Sequence, residues 1–125
     1  MVLTAQTSRQ TILVVEDEPI LRMMAVDMVE DAGFHAVAAS NSTEAIRILE
    51  SRLDIVIVFT DIDMPGGIDG MRLAIAIRDR WPPIKIIVTS GNVHVRYAGL
   101  PTESVFFEKP YLQEDVVATM HRMAA

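Results

Sequence analysis

The sequence contains no cysteine among its 125 residues, which excludes disulfide bonds and thiolate metal sites. No apolar run approaches the roughly 20 residues that span a bilayer. The first ten residues, MVLTAQTSRQ, lack the apolar core and cationic start of a signal peptide. A basic run is also missing, and the formal net charge of -6 argues against sequence-independent binding of nucleic acid. These absences favour a soluble cytoplasmic protein with no membrane partner and no direct nucleic-acid partner.

What the chain does contain is enough apolar material for one well-filled core. Half of its residues are hydrophobic, and its length suits a single domain. Residues 1–10 are polar, and we expect them to form a flexible N-terminal tail. The domain is then expected to occupy residues 11–125.

Five short apolar runs predict buried strands. They are Thr11–Val15, His35–Ala39, Ile55–Phe59, Ile84–Ser90 and Ser104–Lys109. Helical patterns lie between and after them, so β and α elements alternate along the chain. Near-continuous apolar strands in such an order are typical of a parallel sheet covered by helices on both faces. The predicted fold class is therefore α/β, with a doubly wound five-stranded sheet.

The helix boundaries are marked by residues that start or stop helices. Helices are predicted to begin near Pro19, Asn41, Asp69 and Leu112. In the first of them, apolar residues recur at helical spacing at Leu21, Met24, Ala25, Met28 and Val29. Gly33 is predicted to end this helix, and Glu44 is expected to cap the second helix reciprocally with Asn41. Residues 91–103 leave room for little more than a short helix.

Polar side chains lie at or just after the ends of four of the predicted strands. They are Glu16 and Asp17, then Asp61, then Thr89 and Ser90, then Lys109. The carboxyl ends of parallel strands meet at one edge of the sheet, where ligands bind in such folds. Several carboxylates at that edge would repel one another unless a cation joined them, and oxygen ligands favour a hard cation such as Mg²⁺ or Mn²⁺. One carboxylate could then serve as a nucleophile towards a phosphoryl group.

The segments VVEDEP, TDIDMPGGIDG, VTSG and EKP occur in this order at the predicted strand ends. Together they resemble the receiver domain of two-component response regulators, and the resemblance extends from Thr11 to about Arg122. It implies a flavodoxin-like fold with strand order 2-1-3-4-5. It also implies a signalling protein rather than an enzyme. Such a protein accepts a phosphoryl group from a histidine kinase or a histidine phosphotransferase and then changes conformation to signal to protein partners.

The resemblance assigns roles to the acidic residues. Asp61 precedes the Met-Pro pair by three residues and takes the place of the phosphoacceptor. Glu16 and Asp17 match the pair that holds Mg²⁺, with Asp17 the more direct ligand. The ligand set would be completed by Asp61 and by the backbone carbonyl of Asp63, whose side chain is expected to be solvated.

The resemblance also assigns the residues that would respond to the phosphoryl group. Ser90 matches the hydroxyl that turns towards it, with Thr89 as a rival, and Lys109 matches the family lysine. Phe106 takes the place of a switching aromatic residue. A cis peptide bond is expected between Lys109 and Pro110. Gly91 and Asn92, which follow the hydroxyl, are further candidates for the phosphate side of the site.

Two other functions stay open at this point. A pseudo-receiver would bind a partner without phosphorylation. A phosphatase of the haloacid-dehalogenase type would use Asp61 as nucleophile and Asp63 as acid/base. The length leaves no room for a DNA-binding effector beside the receiver, which suggests a single-domain regulator, and dimerisation is left open.

Overall fold

The computed structural model describes residues 9–63, 69–91, 100–101 and 103–125, and these ranges contain five strands and four helices. In chain order they are β1 (Thr11–Val15), α1 (Pro19–Asp31), β2 (His35–Ala39), α2 (Ser42–Ser51), β3 (Ile55–Asp61), α3 (Asp69–Arg80), β4 (Lys85–Ser90), β5 (Ser104–Glu108) and α4 (Gln113–Ala124). The expected short helix falls mostly on residues 92–99, and most of the predicted tail is residues 1–8; both lie outside the described residues.

The five strands form one parallel sheet in the order β2-β1-β3-β4-β5. This confirms the predicted fold class and strand order. Strand β3 is two residues longer than predicted, because Thr60 and Asp61 continue its pairing with β4. Asp61 is therefore held by the sheet itself. Just before β1, the carbonyl of Gln10 accepts a hydrogen bond from the His35 amide at 2.9 Å.

Alternate strand residues face two separate layers of helices. One face packs under α2 and α3, and its buried residues include Leu13, Val58, Ile86 and Val88. The other face packs under α1 and α4, and its buried residues include Ile12, Val14, Ile57, Phe59 and Ile87. Burial on both faces explains why the strands read as continuous apolar runs rather than as alternating patterns. None of the helices in the described ranges has the length and apolarity required to cross a membrane.

Helix ends follow the sequence signals with one difference. The Glu18 side chain caps α1, and Gly33 follows that helix with a φ of +100°, a conformation that glycine adopts without strain. The Asn41 side chain accepts a hydrogen bond from the Glu44 amide at 2.8 Å, as predicted. The Glu44 carboxylate, however, accepts from the backbone amide of Ser40 at 2.6 Å instead of from Asn41. The reciprocal cap therefore reaches one residue further back.

Helix α1 buries only the second half of its predicted apolar stripe. Ala25, Met28 and Val29 are buried against the sheet. Leu21 and Met24 are instead 45% and 52% exposed, although they continue the same stripe towards the start of the helix. The first turns of α1 thus carry apolar side chains past the area that the sheet covers.

Candidate functional site

Three carboxylates meet at the carboxyl edge of the sheet, as the sequence predicted. Glu16 and Asp17 directly follow β1, and Asp61 is the last residue of β3. One ligand oxygen from each of the three residues lies within 4.8 Å of the others. The neighbouring positions of β1 and β3 in the sheet produce this approach, because Val15 pairs with Thr60. The three carboxylates form the acidic cluster of the site.

Glu16 is almost as deeply buried as Asp61, and only 7% of the residue is exposed. Its Oε2 accepts a hydrogen bond from the Glu18 amide at 3.1 Å. Burial raises the pKa of the Glu16 carboxyl to about 7; the Glu18 amide opposes this rise, and the charge and hydrogen bonding of Asp61 add to it. Ionisation of the Glu16 carboxyl beside two other carboxylates is costly, and a bound cation would offset this cost.

Asp61 is paired with Lys109 across the sheet edge. The Lys109 Nζ donates to Asp61 Oδ2 at 2.8 Å, and the Asp63 amide donates to Asp61 Oδ1 at 2.9 Å. The side chain of Asp61 is 7% exposed and that of Lys109 is 31% exposed. Burial lowers the pKa of Lys109, but the hydrogen bond and charge of Asp61, with the charge of Glu16, outweigh this and raise it. Lys109 is therefore an ammonium ion that faces the candidate phosphoacceptor.

Arg22 is a site residue that the sequence analysis did not identify. From the first turn of α1, its Nη1 donates to the backbone carbonyl of Glu16 at 3.0 Å and to that of Asp17 at 3.3 Å. The guanidinium thereby holds the short segment that presents both acids. The only signal in the sequence is a cation one helical turn after Glu18, which is too common a pattern to single out.

Asp63 is exposed, as the sequence predicted, but its carboxylate also makes two hydrogen bonds that the sequence analysis did not predict. Its Oδ1 accepts a hydrogen bond from the Ser90 hydroxyl at 2.6 Å, and its Oδ2 accepts one from the Gly91 amide, also at 2.6 Å. The loop carboxylate therefore turns back to the end of β4. Ser90 is fully buried, and its carbonyl accepts a hydrogen bond from the Lys109 amide at 2.9 Å.

The remaining predicted residues lie around this centre. Thr89 pairs with Asp61 in the sheet and lines a cavity beside it. Phe106 pairs with Val88 and packs, partly buried, against the α2–α3 face. The peptide bond between Lys109 and Pro110 is cis, as expected. Asn92 lies outside the described residues, and the ligand role of the Asp63 carbonyl stays a prediction.

A cavity of about 540 Å³ opens beside Asp61 under the first turns of α1. Its apolar lining comes mainly from Leu21, Met24, Met28, Phe59 and Tyr111, and Glu16, Asp61 and Lys109 lie at its polar end. Tyr111 packs edge-on against Phe59, with ring centroids 6.2 Å apart. The site thus combines a charged centre with an apolar approach.

The donor set fits a magnesium ion. Oxygen ligands of one octahedral Mg²⁺ lie at about 2.1 Å from the metal and so up to about 4.2 Å apart. The carboxylate oxygens of the acidic cluster lie within 4.8 Å of one another, so small side-chain rotations bring them to this spacing. All three donors are hard oxygens, and the chain supplies no thiolate that would favour a softer metal.

Comparisons with known proteins agree on one family. The family model of the response regulator receiver domain matches residues 12–120. An NtrX-like response regulator of Rickettsia felis is 29% identical over 119 residues, which cover 92% of this chain and 25% of the relative. The sensor kinase CckA of Brucella abortus is 33% identical over 119 residues, covering 90% of this chain and 12% of the relative. The chain spans a quarter or less of the length of these two curated relatives.

Solved structures support the same assignment. A response regulator receiver protein from Sinorhizobium medicae superimposes with a TM-score of 0.83 at 31% identity, covering 94% of this chain and 96% of the other. The response regulator TrrA of Thermotoga maritima, solved in complex with Mg²⁺-BeF, superimposes with a TM-score of 0.82 at 27% identity, covering 91% and 98% of the two chains.

Proposed function

Because the chain belongs to the receiver domain family of two-component response regulators, we propose that it is a phosphorylation switch in which Asp61 accepts a phosphoryl group from a phosphohistidine. The donor is a histidine kinase or a histidine phosphotransferase. In the transfer, an Asp61 carboxylate oxygen forms a bond to phosphorus while the bond from phosphorus to the imidazole nitrogen breaks. The imidazole leaves with a proton from solvent, and the product is an acyl phosphate.

The observation that carries this proposal is the position of Asp61. Its carboxylate is almost fully buried, lies within 4.8 Å of the carboxylates of Glu16 and Asp17, and is 2.8 Å from the Lys109 ammonium. A carboxylate placed between acids and a cation can stay ionised and attack an electrophile when the added negative charge is neutralised. A Mg²⁺ ion held by Glu16, Asp17 and Asp61 would supply much of that neutralisation. Lys109 would supply the rest at the oxygens of the incoming group.

The surface beside Asp61 supports a protein donor. Ile20, Met23 and Met24 on α1 are 67%, 64% and 52% exposed, and Leu112 before α4 is 61% exposed. This exposed apolar surface adjoins the cavity that leads to Asp61, so a histidine-bearing helix that covers it would bring its imidazole to the carboxylate. Curated relatives include sensor kinases, which is consistent with such a donor. A cytoplasmic location stays a prediction.

The alternative of a phosphatase has less support. It requires Asp63 to exchange protons with a substrate bound at Asp61. The Asp63 carboxylate accepts two short hydrogen bonds from Ser90 and Gly91 instead, and this keeps it directed at β4. No feature of the described residues favours a binding module that does without phosphorylation.

The test is intact-mass spectrometry after incubation with acetyl phosphate. We expect one added phosphate in the presence of Mg²⁺, no adduct with excess EDTA, and loss of the adduct on treatment with hydroxylamine, which cleaves acyl phosphates. The Asp61→Asn variant should stay unmodified. If the wild-type chain gains no phosphate from acetyl phosphate or from phosphorylated kinases, the proposal is wrong.

A further inference from the structure

The Asp63 carboxylate occupies two hydrogen-bond donors beside the candidate phosphoacceptor. Both distances, to the Ser90 hydroxyl and to the Gly91 amide, are 2.6 Å. Hydrogen bonds of this length to an ionised acceptor are among the stronger ones in proteins. Asp63 is also tied to Asp61, because its own amide donates to Asp61 Oδ1 at 2.9 Å. The end of β3 and the end of β4 are therefore joined through one side chain.

Asp61 pairs in the sheet with Thr89, the residue before Ser90, so an anion attached to Asp61 could accept hydrogen bonds from these same donors. Lys109 already contacts Asp61, and beyond it the uncharged donors at this end of the sheet include Ser90 and Gly91. A hydroxyl and an amide each donate one hydrogen atom, so each can serve either the Asp63 carboxylate or an oxygen of the new anion. The carboxylate of Asp63 acts as an internal substitute for that anion.

We infer that Asp63 is an autoinhibitory latch, meaning that its carboxylate holds Ser90 and Gly91 in the unphosphorylated arrangement and must release them when Asp61 carries a phosphoryl group. The inference rests on the proposed function of Asp61. A contact made only in the unphosphorylated state shifts the conformational equilibrium towards that state. Removal of the latch should therefore raise the affinity of the site for a phosphoryl analogue and raise the phosphorylated fraction.

The measurement is the affinity for beryllium fluoride in excess Mg²⁺, by isothermal titration calorimetry. We expect Asp63→Ala to bind the analogue roughly three- to tenfold more tightly than wild type, because one to two charge-assisted hydrogen bonds no longer compete. Asp63→Asn, which keeps one carbonyl acceptor, should lie between the two and serves as the second variant. Asp27→Asn is the matched control, since it removes a carboxylate from an exposed position of α1.

Charge repulsion alone could also make Asp63→Ala bind more tightly, and a double-mutant cycle separates the two causes. The competition for the hydroxyl disappears when Ser90 is replaced by alanine, whereas the charge of Asp63 stays. In the Ser90→Ala background only the Gly91 amide still binds the Asp63 carboxylate, so the gain in affinity from Asp63→Ala should be clearly smaller than in the wild-type background. In amide NMR spectra, the Gly91 proton should also move upfield in Asp63→Ala, because it loses a short hydrogen bond.

Three outcomes would overturn the inference. Unchanged affinity in Asp63→Ala and Asp63→Asn would show that the contact does not oppose activation. An equal gain with and without the Ser90 hydroxyl would show that the contact between Asp63 and Ser90 does not oppose activation. If the wild-type chain is phosphorylated and binds the analogue, either result refutes the latch alone. If the wild-type chain does neither, the proposed function fails and the latch fails with it.

Discussion

The acidic cluster should lower the stability of the metal-free protein, and Asp17 is the residue that tests this most cleanly. Its carboxylate lies within 4.8 Å of those of Glu16 and Asp61, while the Lys109 ammonium contacts Asp61. Asp17→Asn keeps the shape of the side chain and removes its charge. We therefore expect this variant to be more stable than wild type when no divalent cation is present.

The magnitude follows from the distance. Two unit charges 4.8 Å apart repel by about 0.9 kcal/mol in bulk water and about 3.5 kcal/mol at an effective dielectric of 20. Asp17 is accessible to solvent, so each of its two repulsions should lie near the lower value. We expect a gain of about 1–2 kcal/mol at pH 8, where Glu16 is largely ionised, and this corresponds to roughly 4–8 °C in melting temperature.

The assay is urea and thermal denaturation with and without Mg²⁺. When Mg²⁺ is present at ten times its dissociation constant, wild type should gain about 1.4 kcal/mol, and Asp17→Asn should gain little because it lacks a ligand. Asp27→Asn is the control, because it removes one negative charge from an exposed position of α1, outside the acidic cluster. The reasoning is refuted if Asp17→Asn is no more stable than Asp27→Asn, or if it keeps the full stabilisation by Mg²⁺.

Three further predictions concern residues around the site and at the opposite edge of the sheet. Arg22→Met should weaken Mg²⁺ binding by roughly tenfold in calorimetry, because the carbonyls of the acidic pair lose their donor, while Arg22→Lys should restore part of the loss; equal affinities in all three proteins would contradict this. Gly70→Ala should reduce the free energy of unfolding by about 1–2 kcal/mol in urea titrations, because a Cβ at this position would lie 2.6 Å from the Ile62 Cα. The cost of this overpacking should exceed the roughly 1 kcal/mol gain in helix propensity, so an unchanged or higher stability would refute the close approach. Hydrogen bonds from Arg52 hold the pKa of Asp54 below its usual value, so the stability that this pair contributes is present above the unfolded pKa of about 3.9 and is lost as the pH falls. Asp54→Asn should therefore lower the free energy of unfolding by less than about 1 kcal/mol at pH 7, and the difference from wild type should shrink below pH 4. A difference that grew at low pH would contradict the pairing.

Features set by local sequence were predictable in this chain. The β-branched and apolar runs predicted all five strands, because strands buried on both faces leave little room for polar residues. The convergence of Glu16, Asp61 and Lys109 followed from the same reasoning, since parallel strands bring their carboxyl ends to one edge. The cis bond before Pro110 was expected from the resemblance to receiver domains and not from local sequence alone.

Features that depend on side-chain direction or on the extent of a surface were not predictable. The contact of Asp63 with Ser90 joins residues 27 positions apart, and it depends on how the chain turns after β3. Arg22 acts on backbone carbonyls, which leave no trace in the sequence. The periodicity of α1 gave its apolar face correctly but could not show that the sheet covers Ala25 and not Leu21. Periodicity reports which side of a helix is apolar and not how far its partner extends.

The most direct test of the central claim is to locate the phosphoryl group. After reaction with acetyl phosphate and Mg²⁺, borohydride reduces an aspartyl phosphate to homoserine, and peptide sequencing by mass spectrometry then identifies the modified position. The account predicts homoserine at position 61 and at no other aspartate. Homoserine at Asp17 or Asp63, or unmodified Asp61 in a protein that has gained phosphate, would contradict it.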